Sequence, residues 1–386
     1  MSTIRVNTLQ NTSTTDGGIS IDTSGHVTVD GVAMPSSGAL SNRNLIINGA
    51  MQVAQRGTSS TSTGYLVDRF EIGFGGGAVT TSQESLSSGD PYNEGFRKFL
   101  RLTNSTSATA SNSYREITQK IEAQNLANSG WNYTSSDSFV TLSFWVRASV
   151  AQTYYVKLKT NDGTAQAYGS AFSLSADTWT KVTKTIPGNS NITINNDNGN
   201  GFNVAVVPFY GTDFTDNSFV TDAWAAYVDP PQLPDMTNTW AGTTNATFDI
   251  TGVQLELGEV ATPFEHRSYG DELARCQRYY WNMFFGENSA NNAIAQGTSY
   301  NGSTTFFTVY PPVSMRAEPS LEASNTASYY IGYYNSTNSN VSTLTFDGAA
   351  QPNAIEFSAS TGASGGQAVI LRRQNANAIL RFSAEL

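Results

Sequence analysis

The sequence predicts an all-β protein built in series: short N-terminal β-ribbons, a central jelly-roll β-sandwich, one short linking α-helix and a C-terminal β-sandwich. Two observations carry this. Apolar residues recur with period two in many short segments, as strands with one buried face require. Between those segments lie Ser, Thr, Asn and Gly in turn-forming combinations, while charged residues make up only 13% of the chain against 39% hydrophobic. At 386 residues the chain is long enough for two or three domains, each with its own core.

Residues 1–41 differ from the rest. Ile4 and Val6, Ile19 and Ile21, and Val27 and Val29 are apolar pairs two apart, separated by TDGG and TSGH turns. Ribbons this short bury too little surface to fold alone, so they need copies of themselves or a docking partner. The tract Pro35 to Gly38 then reads as a linker.

The second domain, 42–267, is read from clear alternation. Val140, Leu142, Phe144 and Val146 mark one strand, Tyr154, Val156 and Leu158 another, and Phe202, Val204 and Val206 a third. Further strands are expected at Phe99 to Leu102, Trp179 to Ile186 and Phe248 to Leu257. Asn161-Asp162-Gly163 and Pro187-Gly188-Asn189 supply turns, and Gly73 to Gly77 reads as another. Ile117 to Leu126 fits either a short helix or a strand. So many strands with so little helix fit a two-sheet sandwich, of jelly-roll rather than barrel form.

From Phe248 to Trp281 the chain passes from one domain to the next. Val253, Leu255 and Leu257 alternate with Gln254, Glu256 and Gly258, which places Glu256 on an outward face. Ser268 with Asp271 is a helix start, opening a linking helix over 268–285. Leu273, Cys276, Tyr280 and Met283 then fall on one side of it, with Arg275 and Arg278 turned away. The final domain, 286–386, is β-rich, with strands expected at Thr304 to Tyr310, Ser328 to Tyr334, Ser342 to Phe346, Ala354 to Ser358, Ala368 to Arg372 and Ala378 to Ser383. Its last strand ends the chain, so the terminus is expected to be held in the structure.

Several functions are disfavoured. A net charge of −10 does not suit phosphate neutralisation, so no nucleic-acid partner is expected. No apolar run reaches the ~20 residues of a membrane helix. The N-terminus MSTIRVNTLQ has no hydrophobic signal core, so work outside a cell would need a route other than Sec. The single Cys276 allows no internal disulfide and reads as a small buried hydrophobe. With only His26 and His266, a Ser-His-Asp triad or a histidine zinc site is not expected, nor is any cofactor or metal. Glu256 with Glu259 is the tempting carboxylate pair for glycoside hydrolysis, but it reads as structural.

Aromatic residues in polar surroundings are the better functional signal. Trp224, Tyr227 and Trp240 lie in the segment AWAAYVDPPQLPDMTNTWAG, and Tyr329, Tyr330, Tyr333 and Tyr334 form a late cluster. Aromatic faces stack on sugar rings, and nearby Asn, Asp and Thr side chains hydrogen-bond hydroxyls. The same residues also serve as ordinary packing.

Two segments carry a resemblance. NLIINGAMQVAQRGTS, Asn44 to Ser59, followed by Asp68-Arg69-Phe70, resembles the opening of a domain found in tail-fibre and receptor-binding proteins of tailed bacteriophages. ITGVQLELGEVATPFEHRSYGDELARCQRYYW, Ile250 to Trp281, is similar to the end of that domain. The leading STIRVNTLQNTS is similar to the leading segment of tail fibres from phages of aquatic bacteria.

The resemblance implies a carbohydrate-binding-module-like jelly roll, assembled as a homotrimer in the virion tail. The N-terminus would engage a tail hub, adaptor or nozzle protein, with Ile4, Val6, Ile19 and Ile21 at that attachment. The C-terminal domain would contact host cell-surface polysaccharide, and Leu273, Cys276, Tyr280 and Met283 would lie at the trimer axis. Assembly in the host cytoplasm would fit the missing signal. Calcium-binding modules of this kind often carry acidic residues where Gln52 and Thr251-Gly252 stand here, so no calcium is expected at that place. The function expected is a non-enzymatic fibre attaching to a surface glycan. The alternatives are a structural component bridging the hub to a separate adhesin, and a polysaccharide depolymerase.

Overall fold

The computed structural model describes residues 8–9, 18–35, 41–286, 290–324, 329–351 and 353–386. Ile4, Val6, most of the Pro35 to Gly38 tract and Ser328 lie outside the described residues. The fold is mostly β, with antiparallel sheets and a few short helices. It divides into two compact units, Met1–Arg267 and Ser268–Leu386.

The N-terminal ribbons pair as a four-stranded sheet of Thr8–Leu9, Ile19–Ile21, Val27–Val29 and Val32–Ala33. Leu9 pairs with Ile19, Ile19 with Val29 and Val29 with Val32, so these side chains share one face. All four are exposed. The alternate row, Thr8, Ser20, Thr28 and Ala33, is small and polar, and the Ser20 and Thr28 hydroxyls hydrogen-bond each other.

The rest of the first unit is a sandwich. Its seven-stranded sheet runs Trp224–Ala226, Gln166–Leu174, Gln152–Thr160, Asn200–Tyr210, Tyr114–Glu122, Glu71–Gly75 and Gly64–Tyr65. The six-stranded sheet runs Thr180–Pro187, Phe139–Ala148, Thr247–Leu257, Lys98–Asn104, Val79–Ser85 and Ser59–Ser60. Phe144, Val146, Phe248 and Ile250 of one sheet and Ile117, Tyr154, Val156 and Val204 of the other meet in one core. The alternating segments therefore became strands for the expected reason. Ile117 to Leu126 is both alternatives in turn, since a strand runs to Glu122 and a helix spans Ala123–Ala127.

Two sequence expectations fail here. Gly73 to Gly75 belongs to a strand rather than a turn. Its glycines lie opposite Glu116 and Tyr114, whose side chains occupy the space a Cβ would need: a Cβ on Gly75 would stand 2.7 Å from Tyr114 Cε1. Glu256 is not outward-facing. The Thr247–Leu257 strand is central and buried on both faces, and Glu256 has no exposed surface.

Parts of the segments on which the resemblance rests, with Arg43, cover that second face. The Asn44 amide donates to Val253 O and accepts from Ile46 N and Leu255 N. Glu256 accepts from Thr262 N and Oγ1 and from Gln254 Nε2, with Arg43 Nε 3.3 Å away. The Arg267 guanidinium donates to Asn44 O and Ile46 O. Asp68 receives both the backbone and side-chain N–H of Gln55. At Gly252 a bulge with φ +64° brings the backbone against Phe96, where any Cβ would lie 2.7 Å from the ring. These contacts tie Arg43 to Ile46 and Thr262 to Arg267 to the central strand.

In the second unit, Ser268 caps a helix spanning Tyr269–Gln277 by accepting from Asp271 N. The helix is shorter than expected. Tyr280–Asn282 is a strand paired with Leu380–Ser383, because the aromatic run is taken into a three-stranded sheet with Ser320–Ala323. Leu273, Cys276, Tyr280 and Met283 therefore do not form one helix face, and Cys276 and Tyr280 are buried. Ala384 N donates to Tyr279 O, and Arg316 holds the carbonyls of Ala384 and Glu385.

The other sheet of this unit has seven strands, in the order Thr337–Val341, Tyr330–Tyr334, Ala368–Arg373, Ala293–Asn301, Thr304–Val309, Ala354–Ala359 and Leu344–Gln351. Its inner face contributes Phe307, Val369, Leu371, Tyr330 and Phe357 to a core shared with Trp281, Leu380 and Phe382.

Candidate functional site

The aromatic residues singled out in the sequence separate sharply. Trp240 is fully buried, its indole donating to Thr247 O, so it is a core residue and no sugar can reach it. Trp224 sits in an edge strand, half-buried against Tyr168 and Phe202, with its Nε1 donating to Pro187 O. Tyr227 is half-buried, with the Lys159 ammonium 4.0 Å from its ring centroid. These three form no shared surface.

Of the late tyrosines, Tyr330 is fully buried and its hydroxyl donates to Ile379 O. Burial pushes its phenol up to about 12. Tyr329 and Tyr334 pack against the same core. Only Tyr333 stands on the outer face of the sheet, three residues from Tyr330 and therefore of opposite parity.

The strand register shows what else stands on that outer face. One row across the sheet reads Tyr333, Ile370, Gln296, Thr308 and Glu356; the next reads Ala368, Thr298, Phe306, Ser358 and Thr345. Beyond them Tyr300 stands at an irregularity of its strand, 75% exposed, with its ring 6.3 Å from Phe306 in an edge-on arrangement. Gln296, Thr298, Tyr300, Phe306 and Thr308 line a shallow concavity of about 540 Å³. Gly297, between Gln296 and Thr298, has the opposite parity, and a Cβ there would meet Phe306 O at 2.0 Å and the buried Phe307 ring at 2.7 Å.

This arrangement can do one kind of chemistry well. An exposed ring offers an apolar platform, and an amide with two hydroxyls offers donors and acceptors beside it. The side chains of Gln296, Thr298 and Thr308 make no hydrogen bond within the described structure, so their capacity is available to a ligand. The concavity carries no formal charge. The sequence reading missed Tyr300 because it is solitary, in a polar strand without strong alternation, AIAQGTSYN.

No hydrolytic pair is formed by Glu256 and Glu259. The first is sealed within its hydrogen bonds, and the second stands at the surface, 3.5 Å from His26 Nε2. Among the described residues, no group of three or more His, Cys, Asp or Glu gathers to hold a metal ion. Among them, too, no helix is long and apolar enough to cross a membrane.

No protein-family profile matches the chain, and no curated relative does. Solved structures are similar at low identity. The enzymatically active domain of tailspike protein 4 of bacteriophage CBA120 aligns with a TM-score of 0.31 at 11% identity, over 56% of this chain and 21% of that one. The chain thus spans about a fifth of that tailspike structure. A family 16 carbohydrate-binding module aligns with a TM-score of 0.27 at 12% identity, over 55% of this chain and 99% of the module. A xylan-binding domain from Paenibacillus barcinonensis gives 0.27 at 10% identity, over 58% and 99%. All three likenesses are remote.

Proposed function

We propose that this protein is a non-enzymatic adhesin, a subunit of a trimeric phage tail fibre, whose C-terminal unit holds an uncharged stretch of host surface glycan. The observation that carries the binding reading is the concavity at Tyr300: an exposed ring beside the uncommitted side chains of Gln296, Thr298 and Thr308. A pyranose ring lays its C–H face on such a platform while its hydroxyls meet the amide and hydroxyl groups. The tail-fibre part of the reading is supported by the resemblance of Asn44 to Ser59 and Ile250 to Trp281 to phage proteins. In that setting the N-terminal ribbons face the tail, the fibre belongs to the virion, and threefold display raises the avidity of weak single sites.

The test is binding of the intact protein to host cells and to an array of neutral glycans. Tyr300→Ala should weaken single-site binding up to about tenfold, in keeping with the ~0.5–1.5 kcal/mol of a ring contact. Thermal unfolding should stay unchanged, because Tyr300 is exposed. Full binding by a folded Tyr300→Ala variant excludes this surface. Release of reducing sugar from host polysaccharide would replace the adhesin reading with a depolymerase.

A further inference from the structure

The outer face of the six-stranded sheet in the first unit carries a surface of different character. The strands Lys98–Asn104, Thr247–Leu257 and Phe139–Ala148 are neighbours, and their register sets Arg101, Asp249 and Arg147 side by side. Asp249 is fully buried. Its Oδ1 accepts from Arg101 Nε at 2.7 Å, and its Oδ2 accepts from Arg101 Nη2 at 2.9 Å, Arg147 Nε at 3.0 Å and Arg147 Nη2 at 2.7 Å. The guanidinium side chains remain 29% and 28% exposed.

Each fork spends two of its N–H groups on Asp249, and neither Nη1 has a partner among the described residues. Both forks are held over aromatic rings. Arg101 and Arg147 lie 5.3 Å and 5.9 Å from the Phe99 centroid, and Arg147 lies 4.8 Å from that of Trp179. Trp179 itself packs edge-on against Phe99 at 5.6 Å and stays half-exposed. On the neighbouring strand Glu84 stands opposite Phe99, with Oε1 accepting from Ser82 Oγ and Oε2 making no hydrogen bond among the described residues.

A strand staple needs only the buried carboxylate and one cation. Here a second guanidinium is added, both forks are partly exposed, and the half-buried Trp179 ring lies beside them. Because Asp249 is sealed below, a ligand meets the two guanidiniums first, on a chain whose net charge is −10. We propose that Arg101, Arg147, Trp179 and Glu84 form a binding site for a carboxylate-bearing sugar, such as a residue of a uronate-containing polysaccharide. The free edges of the forks take the carboxylate in charge-assisted hydrogen bonds. Trp179 offers its ring to the C–H face of the sugar, and Glu84 accepts from hydroxyls. The site draws on the first unit alone and does not depend on the reading of Tyr300.

The experiment titrates the intact protein with oligomers of galacturonate and of mannuronate and with their methyl esters, by calorimetry and tryptophan fluorescence. At least one acid form should bind about tenfold more tightly than its ester, and the difference should shrink in strong salt. Trp179→Ala and Arg147→Lys should each weaken the acid about tenfold in protein shown to be folded by thermal unfolding, and Tyr300→Ala should leave it unchanged. Absence of binding, equal binding of acid and ester, or full binding by a folded Trp179→Ala variant overturns the proposal. So does competition by free acetate as strong as that by the oligomer, which would leave only a charge patch. Acid binding lost in Tyr300→Ala would move the site to the second unit and overturn it too.

Discussion

The N-terminal ribbon sheet and the Thr247–Leu257 strand follow the same sequence rule and end in opposite situations. Both alternate apolar with polar residues. In the ribbon, Leu9, Ile19, Val29 and Val32 form a continuous apolar row that remains exposed, at 62% for Leu9. In the long strand even the polar members, Gln254 and Glu256, have no exposed surface. Alternation therefore says which side chains share a face. It does not say what covers that face. In the sandwich the cover is supplied by residues outside the strand, from the distant segment Arg43 to Ile46 and from Thr262 to Arg267 just beyond the strand's end. The ribbon has no comparable cover within the described chain.

The contrast breaks most forcefully at Glu256. Glu256→Ala removes the acceptor of Thr262 N and Oγ1 and of Gln254 Nε2, and deprives Arg43 of its carboxylate. Removing one partner of a buried charged network costs roughly 3–5 kcal/mol. Chemical denaturation should show a loss of that size, and a change under ~0.5 kcal/mol would mean the network is not the cover it is taken to be.

This carboxylate also shows where reading the sequence stops. The strands of the sandwich were legible because Val140 to Val146, Tyr154 to Leu158 and Phe202 to Val206 alternate strongly. Glu71–Gly75 and Ala293–Asn301 were not, because glycines and small polar residues hide the period. The pattern points Glu256 to water, because a polar residue at an alternating position normally faces it. Only the fold brings Thr262 and Arg43 over it. For the tyrosine cluster the decisive signal was present in the spacing: Tyr330 and Tyr333 are three apart, so one must turn inward while the other turns out. Nothing in the spacing revealed Tyr300, whose strand lacks the alternation that marks a face.

A smaller effect is expected at Glu265, in the same cover. Burial pushes its carboxyl up, but the N–H of Asn44 and the Arg267 guanidinium outweigh this and hold it below its ordinary value of 4.5. A group whose pKa is lower in the folded state contributes stability above its unfolded value and loses it as pH falls through the folded one. The sandwich should therefore lose stability progressively below about pH 4.5, and Glu265→Gln should flatten that part of the profile. An identical acid limb in the variant would assign the loss to other carboxylates.

The smallest effect on stability, and the most telling for the comparison, belongs to the ribbon. Ile19 and Val29 are direct cross-strand partners on the open row, 42% and 36% exposed. Replacing both with Ser should change the unfolding of the sandwich by no more than ~0.5 kcal/mol, since little apolar surface is lost from any core. If the proposed tail-fibre role is correct, the apolar row is covered in the assembled particle by sister ribbons or by the tail. The double variant should then reduce subunit association, measured by sedimentation, or incorporation into virions. A variant that destabilised the sandwich by several kcal/mol would show that the row is covered within the single chain. One that left stability, association and incorporation all unchanged would show that the row has no cover and needs none.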